Sequence, residues 1–157
     1  IGEFNNKVLF TDGYNFNGDE INLLVDNGNY GWPVASTGED DHAKNFLSNK
    51  KDYKYLKDHS KEGFVEPVIS FLPSILINKL IKVPDDFSIF WKNNFLLSAG
   101  STTYRIKFND ELNKVLFYEK IVLNDNVEDV IFSEKMKAFI FTSHEKLLIL
   151  RKKNEQN

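Results

Sequence analysis

Beyond Glu66 the sequence falls into short apolar segments, about 6 to 8 residues each and each closed by polar turn residues, which is the texture of meandering β-strands. The segments are Val68–Leu72, Ile75–Ile81, Asn94–Ser98, Thr102–Phe108, Val115–Ile121, Asp129–Ser133, Ala138–Thr142 and Leu147–Arg151. Tyr104-Arg105-Ile106-Lys107-Phe108 alternates, which predicts one wet face and one buried face. Val130-Ile131-Phe132, Ala138-Phe139-Ile140-Phe141 and Leu147-Leu148-Ile149-Leu150 are almost unbroken apolar runs, and such runs call for cover on both faces. Sheets stacked on sheets meet that need. The 14 Phe and 6 Tyr point the same way, because aromatic side chains favour the pleated surface of a strand.

The last four segments recur at intervals of about 10 residues with short turns between them, the rhythm of one four-stranded blade of a β-propeller. Ahead of them, Lys7–Thr11 reads as a strand running into the turn-forming stretch Asp12–Gly18. Glu20–Val25 reads as a second strand, closed by Asp26-Asn27-Gly28-Asn29. Residues 1–35 are thus expected to form a blade hairpin, 36–65 a long polar loop excursion, 66–151 the remaining strands and 152–157 a tail. The fold class is all-β, a fragment of about two to three propeller blades in a single partial domain, since 157 residues are too few for a closed six-bladed ring. A partial ring leaves a sheet edge and apolar blade faces exposed, so the expected partners are the rest of the propeller or other copies of the chain.

With 20 basic and 23 acidic residues the net charge is −3, which gives no footprint for nucleic acid or an anionic membrane. No cysteine is present, which removes disulfides, thiolate metal sites and cysteine nucleophiles. No apolar run reaches the roughly 18 residues of a membrane helix. The opening Ile1-Gly2-Glu3-Phe4-Asn5 lacks the regions of a secretion signal, so any such signal is expected upstream. The histidines His42, His59 and His144 show no metal-ligand spacing, and Ser143-His144-Glu145 is a turn tripeptide that lacks the geometry of a triad. His42 is read as an exposed loop residue, and Trp32 and Trp91 as core packing rather than sugar-stacking platforms. Phosphate-cradling glycine patterns are absent.

Five collinear stretches carry a family resemblance. Gly18-Asp19-Glu20-Ile21-Asn22-Leu23-Leu24 is followed by Gly28-Asn29-Tyr30-Gly31-Trp32-Pro33. Then come Glu66-Pro67-Val68 with Pro73-Ser74-Ile75, Phe87 to Trp91 leading into Asn94-Phe95-Leu96-Leu97, and Tyr104-Arg105-Ile106 followed by Glu128-Asp129-Val130. In this order they resemble the C-terminal part of the glucose/sorbosone dehydrogenase family, the soluble aldose sugar dehydrogenases. The resemblance implies a six-bladed β-propeller that binds pyrroloquinoline quinone (PQQ) with calcium and oxidises a sugar or related alcohol, in the periplasm or outside the cell. Its general base, a histidine, would lie before Ile1, so no catalytic residue is expected in this chain.

The family's quinone clamp is a lysine in the strand before the "x-R-L/I" motif and two arginines before "D-V", which suits bidentate grip on carboxylates. Here the lysine region reads Ser98-Ala99-Gly100-Ser101-Thr102 and the arginine positions read Asn126 and Glu128. The cofactor-binding residues are therefore unassigned. For the family's structural calcium the matching oxygen ligands are Glu20, the carbonyl of Tyr30 and Asp40, with Asp41 as the substitute for Asp40. Read without the resemblance, Asp19, Glu20, Asp40 and Asp41 are equally a solvated acidic loop. Two functional readings stay open: part of a PQQ-dependent sugar dehydrogenase-like enzyme whose quinone cations are replaced, or a non-catalytic propeller that binds a sugar or other small molecule on the same scaffold.

Overall fold

The computed structural model describes residues 1–14, 18–37, 59–60 and 63–152, with Tyr14 described by its backbone only. Eleven strands follow one another among them: β1 (Gly2–Phe4), β2 (Lys7–Tyr14), β3 (Gly18–Leu23), β4 (Ile69–Phe71), β5 (Ile77–Lys82), β6 (Asn94–Ala99), β7 (Thr102–Phe108), β8 (Val115–Val122), β9 (Asp129–Ser133), β10 (Ala138–Thr142) and β11 (Leu147–Arg151). A 3-10 turn, Ile89–Trp91, interrupts the β5–β6 connection and is capped by the Ser88 side chain. Among the described residues no helix is long and apolar enough to cross a membrane.

Every adjacent pair is antiparallel, and the strands form three sheets ordered β1-β2-β3-β4, β5-β6-β7-β8 and β9-β10-β11. These are propeller blades, with the first strand of the middle blade, β5, next to both β1 and β9. The grouping corrects the four-strand unit expected from spacing. β8 closes the second blade by pairing with β7, and the chain crosses to the third blade through Leu123–Glu128. Even spacing marks strands but does not say which neighbour each one pairs with. β1 and the end of β2 lie where turn residues predominate. Gly2 suits β1 because a side chain there would come within 2.6 Å of the Phe95 ring.

Two apolar cores hold the blades together. Leu9 and Ile21 of the first blade meet Leu80, Phe95, Leu97, Ile106, Phe108 and Leu112 of the second. Val83, Phe87 and Leu96 of the second meet Val127, Val130, Phe139 and Phe141 of the third. Strand β6 serves both: Phe95 and Leu97 point one way, Leu96 the other, and all six of its residues are buried. The far face of the third blade departs from the expectation of cover on both sides. The cross-strand row Ile131, Ile140 and Ile149 leaves Ile131 49% and Ile149 44% exposed, because no further sheet stacks there among the described residues.

Phe139 is fully buried, with the Phe87 and Phe132 rings each 4.9 Å away. On the opposite rim Lys137 bridges Asp86 of the second blade and Glu134, and these hydrogen bonds, Asp86 first, push its pKa up to about 12. Phe139→Ala is expected to cost about 3–5 kcal/mol by opening the second core. Urea denaturation should report it as a lower midpoint with little change in slope.

Candidate functional site

The Asp19-Glu20 pair sits on β3, opposite Gly13 and Asp12 of β2. The two acids do different things. Asp19 is 1% exposed, and its carboxylate accepts hydrogen bonds from Ser74 Oγ (2.9 Å), the Ile75 N–H (2.9 Å) and the Ile77 N–H (3.2 Å). It therefore ties the first blade to the link that opens the second. A Cβ on Gly13 would come within 2.3 Å of Asp19 Oδ1, so the tie requires glycine opposite. Glu20, also buried, accepts from Thr37 Oγ1 at 2.7 Å and Asn22 Nδ2 at 3.3 Å, both neutral donors. Asn22 Oδ1 beside it is buried without a hydrogen-bond partner. Asp12 is raised above the usual carboxylate range, first by loss of solvent around its carboxyl, then by the charge of Glu20 opposite, with a smaller part from Asp19.

Tyr30 is near this corner, with its ring edge-on to Phe10 at 4.9 Å. Its hydroxyl donates to the Leu23 carbonyl at 2.8 Å and accepts the Val25 N–H at 2.9 Å, pinning the end of β3. Gly31 has φ +92° and is backed by Ala35, His59 and Phe64. His59 is 1% exposed, and its Nδ1 lies 3.7 Å from Glu66 Oε2 without a hydrogen bond. Within the 36–65 excursion His59 and Phe64 thus pack against Gly31, while Ser60 and Gly63 are exposed. Asp40, Asp41 and His42 lie outside the described residues. Among the described residues no three acidic or histidine side chains group at metal-binding distance.

The two segments at the family's clamp positions, Ser98–Thr102 and the stretch holding Asn126 and Glu128, lie against each other. At the β6–β7 turn, Gly100 donates to the Leu76 carbonyl (3.2 Å) and accepts the Val127 N–H (2.9 Å), while Ser101 accepts the Leu123 N–H (2.9 Å). The Glu128 N–H donates to Thr142 (2.8 Å), which brings in the β10–β11 turn, and Asn78 Nδ2 donates to the Val127 carbonyl. Two carboxylates on this rim are ion-paired, Asp125 with Lys146 at 3.0 Å and Asp129 with Lys79 at 2.7 Å, and His144 Nδ1 lies 3.0 Å from Glu128 Oε1. Ser143 Oγ donates to Asp125, not to His144. Asp125 and Asp129 are held below the usual carboxylate range, chiefly by the hydrogen bonds from Lys146 and Lys79. Asn126 and Glu128 are exposed.

The family model described as Glucose / Sorbosone dehydrogenase matches residues 6–151, nearly the whole chain. The chain belongs to the glucose/sorbosone dehydrogenase family. Solved structures agree in fold. A glucose dehydrogenase crystal structure superposes with a TM-score of 0.75 at 17% identity, covering 95% of this chain and 42% of that one. A second glucose dehydrogenase gives 0.72 at 15% identity, covering 97% and 42%. The apo-form soluble aldose sugar dehydrogenase from Escherichia coli gives 0.70 at 20% identity, covering 92% and 40%. This chain therefore spans about two-fifths of the length of those enzymes. No match is found among curated protein sequences.

Within the family frame, the donor chemistry around Glu20 suits a hard cation: a buried carboxylate met by neutral donors, with an unpartnered buried amide oxygen next to it. The rim does not suit an anionic quinone, because its two lysines, Lys79 and Lys146, are already paired with its own aspartates. Two structural motif residues also meet: the Arg105 guanidinium lies 4.9 Å over Trp91 and 4.8 Å over Phe117. Arg105 Nε is 2.8 Å from Glu119 Oε1, an ion pair by distance whose N–H lies off the hydrogen-bond line. Trp91 packs against the second core as expected. Trp32 does not: it is 60% exposed, so the burial expected for both indoles holds for one.

Two outcomes follow. Asp19→Ala leaves two backbone N–H groups and a hydroxyl unpaired between blades and is expected to cost about 3 kcal/mol, read from chemical denaturation. Asp129 has a depressed pKa in the folded state, so its contribution is full above the unfolded value of roughly 3.9 and is lost as pH falls through the folded value. Urea midpoints of Asp129→Asn should lie below wild type at neutral pH and converge with it in strong acid.

Proposed function

We propose that this chain supplies the calcium-braced scaffold blades of a sugar-dehydrogenase-type propeller and contributes no catalytic residue of its own. The observation that carries the reading is Glu20, a buried carboxylate whose described hydrogen bonds come from the neutral groups of Thr37 and Asn22. A calcium ion would draw on Glu20, the Tyr30 carbonyl and Asp40, and would join β3 to the excursion that separates it from β4. The general base and the rest of the sugar site belong to sequence other than these residues, so no step of an oxidation is routed through them. The substrate class is a sugar or related alcohol, and the compartment is periplasmic or extracellular, where calcium is plentiful. The remaining blades, or a second copy through the bare face of the third blade, are the macromolecular partners of this reading.

A second reading, a non-catalytic binding propeller on the same scaffold, is favoured by one specific observation. Glu128 pairs with His144 where a quinone carboxylate would need a cation. Family membership is compatible with both readings, because fold and chemistry can separate.

Calcium dependence tests the first reading. At about 100 times its dissociation constant, an ion bound only to the folded state adds roughly 2.7 kcal/mol, which for a chain of this size raises Tm by about 5–10 °C. Calorimetry in calcium against EDTA should show that rise in wild type and its loss in Glu20→Gln. An unchanged Tm in wild type would remove calcium from the proposal.

A further inference from the structure

We infer that the rim built from the β6–β7 turn, residues 123–128 and the β10–β11 turn carries internal carboxylate pairings in place of an anion clamp and does not hold pyrroloquinoline quinone. The inference goes beyond the calcium reading and stands independently of it.

The first argument is charge. Asp125, Glu128 and Asp129 face Lys146, His144 and Lys79, each at 3.0 Å or less. With the imidazole neutral, three carboxylates stand against two ammonium groups, and the rim is negative. Asp125 and Asp129 are held ionised by their lysines, so protonation near neutral pH gives no relief. A planar tricarboxylate would bring three further negative charges to that surface. To recruit Lys79 or Lys146 it would have to strip each from an aspartate and leave that aspartate beside the new carboxylates.

The second argument is supply. A bidentate grip on a carboxylate needs a guanidinium, and the sequence has two arginines, Arg105 and Arg151. Arg105 is stacked between Trp91 and Phe117 beside Glu119. Arg151 ends β11, four residues beyond Leu147, and so lies roughly 13 Å along the strand from the 143–146 turn. Neither serves the rim.

The third argument is connectivity. Lys79 is on β5 of the second blade and Asp129 on β9 of the third, so their pair spans neighbouring first strands. The pairs of Asp125 and Glu128 lace the entry loop of the third blade to its own β10–β11 turn. The rim side chains are thus committed to holding blade against blade and loop against turn.

The test is equilibrium dialysis of the purified protein against pyrroloquinoline quinone in calcium-containing buffer, followed by quinone absorbance. Wild type is expected to retain no more quinone than a control protein. The double variant N126R/E128R, which restores cations at two exposed positions and removes a rim carboxylate, should retain at least tenfold more. If that variant fails to fold, N126R alone repeats the comparison with the same direction expected. Saturable binding by wild type, reduced tenfold or more by Lys79→Ala or Lys146→Ala, would overturn the inference. A folded arginine variant that binds no better than wild type would overturn it too, because charge would then not be the barrier. Either failure leaves the calcium dependence of Tm where it was, so the two proposals are separable.

Discussion

A buried carboxylate persists only where donors replace the water it has lost, and Asp19 meets that condition with groups from far along the chain. Ser74 and Ile75 belong to the link between the first and second blades and Ile77 opens β5, so satisfying one side chain fixes where β5 begins. The same carboxylate leaves no room for a side chain at Gly13, which sets the residue opposite on β2. With β5 placed, β6 pairs with it and presents Phe95 and Leu97 to one core and Leu96 to the other. The stacking of three blades is thus anchored at one end by hydrogen bonds and carried through the middle by a strand with two apolar faces.

The strands were legible because their signal is local. Alternation and unbroken apolar runs located β5 to β11 to within one or two residues. Pairing was not legible, because the six residues from Leu123 to Glu128 look like any other polar turn while carrying the chain from one blade to the next. Glycine misled in the opposite sense. Gly13 read as part of a turn, yet it lies in β2 opposite Asp19, whose carboxylate occupies the space a Cβ there would need.

The site was legible in part. Glu20 could be singled out as a ligand-type carboxylate, and its burial among neutral donors is consistent with that choice. The work of Tyr30 at the end of β3 is done by its hydroxyl, which spacing in a motif does not disclose. Trp32 was expected inside from its indole and its place in the motif, whereas exposure depends on how the segment after Gly31 leaves the blade. His59 gave no sequence signal at all, since its burial comes from contacts with Gly31 and the chain around Phe64.

On the rim, the sequence displayed the two altered positions but not the cations that answer them. Lys79 and His144 are dozens and more than a dozen residues from their partners Asp129 and Glu128, and only the blade geometry joins them. Exposed pairs of this kind contribute about 0–1 kcal/mol each, far less than either apolar core. Their larger consequence is electrostatic. A lysine held against an aspartate is a weak anchor for an incoming carboxylate, and the aspartate it holds ionised repels that carboxylate. The scaffold motifs at Asp19, Trp91 and Arg105 act through burial, stacking and backbone hydrogen bonds, which do not depend on the rim. A change of rim charge can therefore leave the propeller intact while altering what it is able to bind.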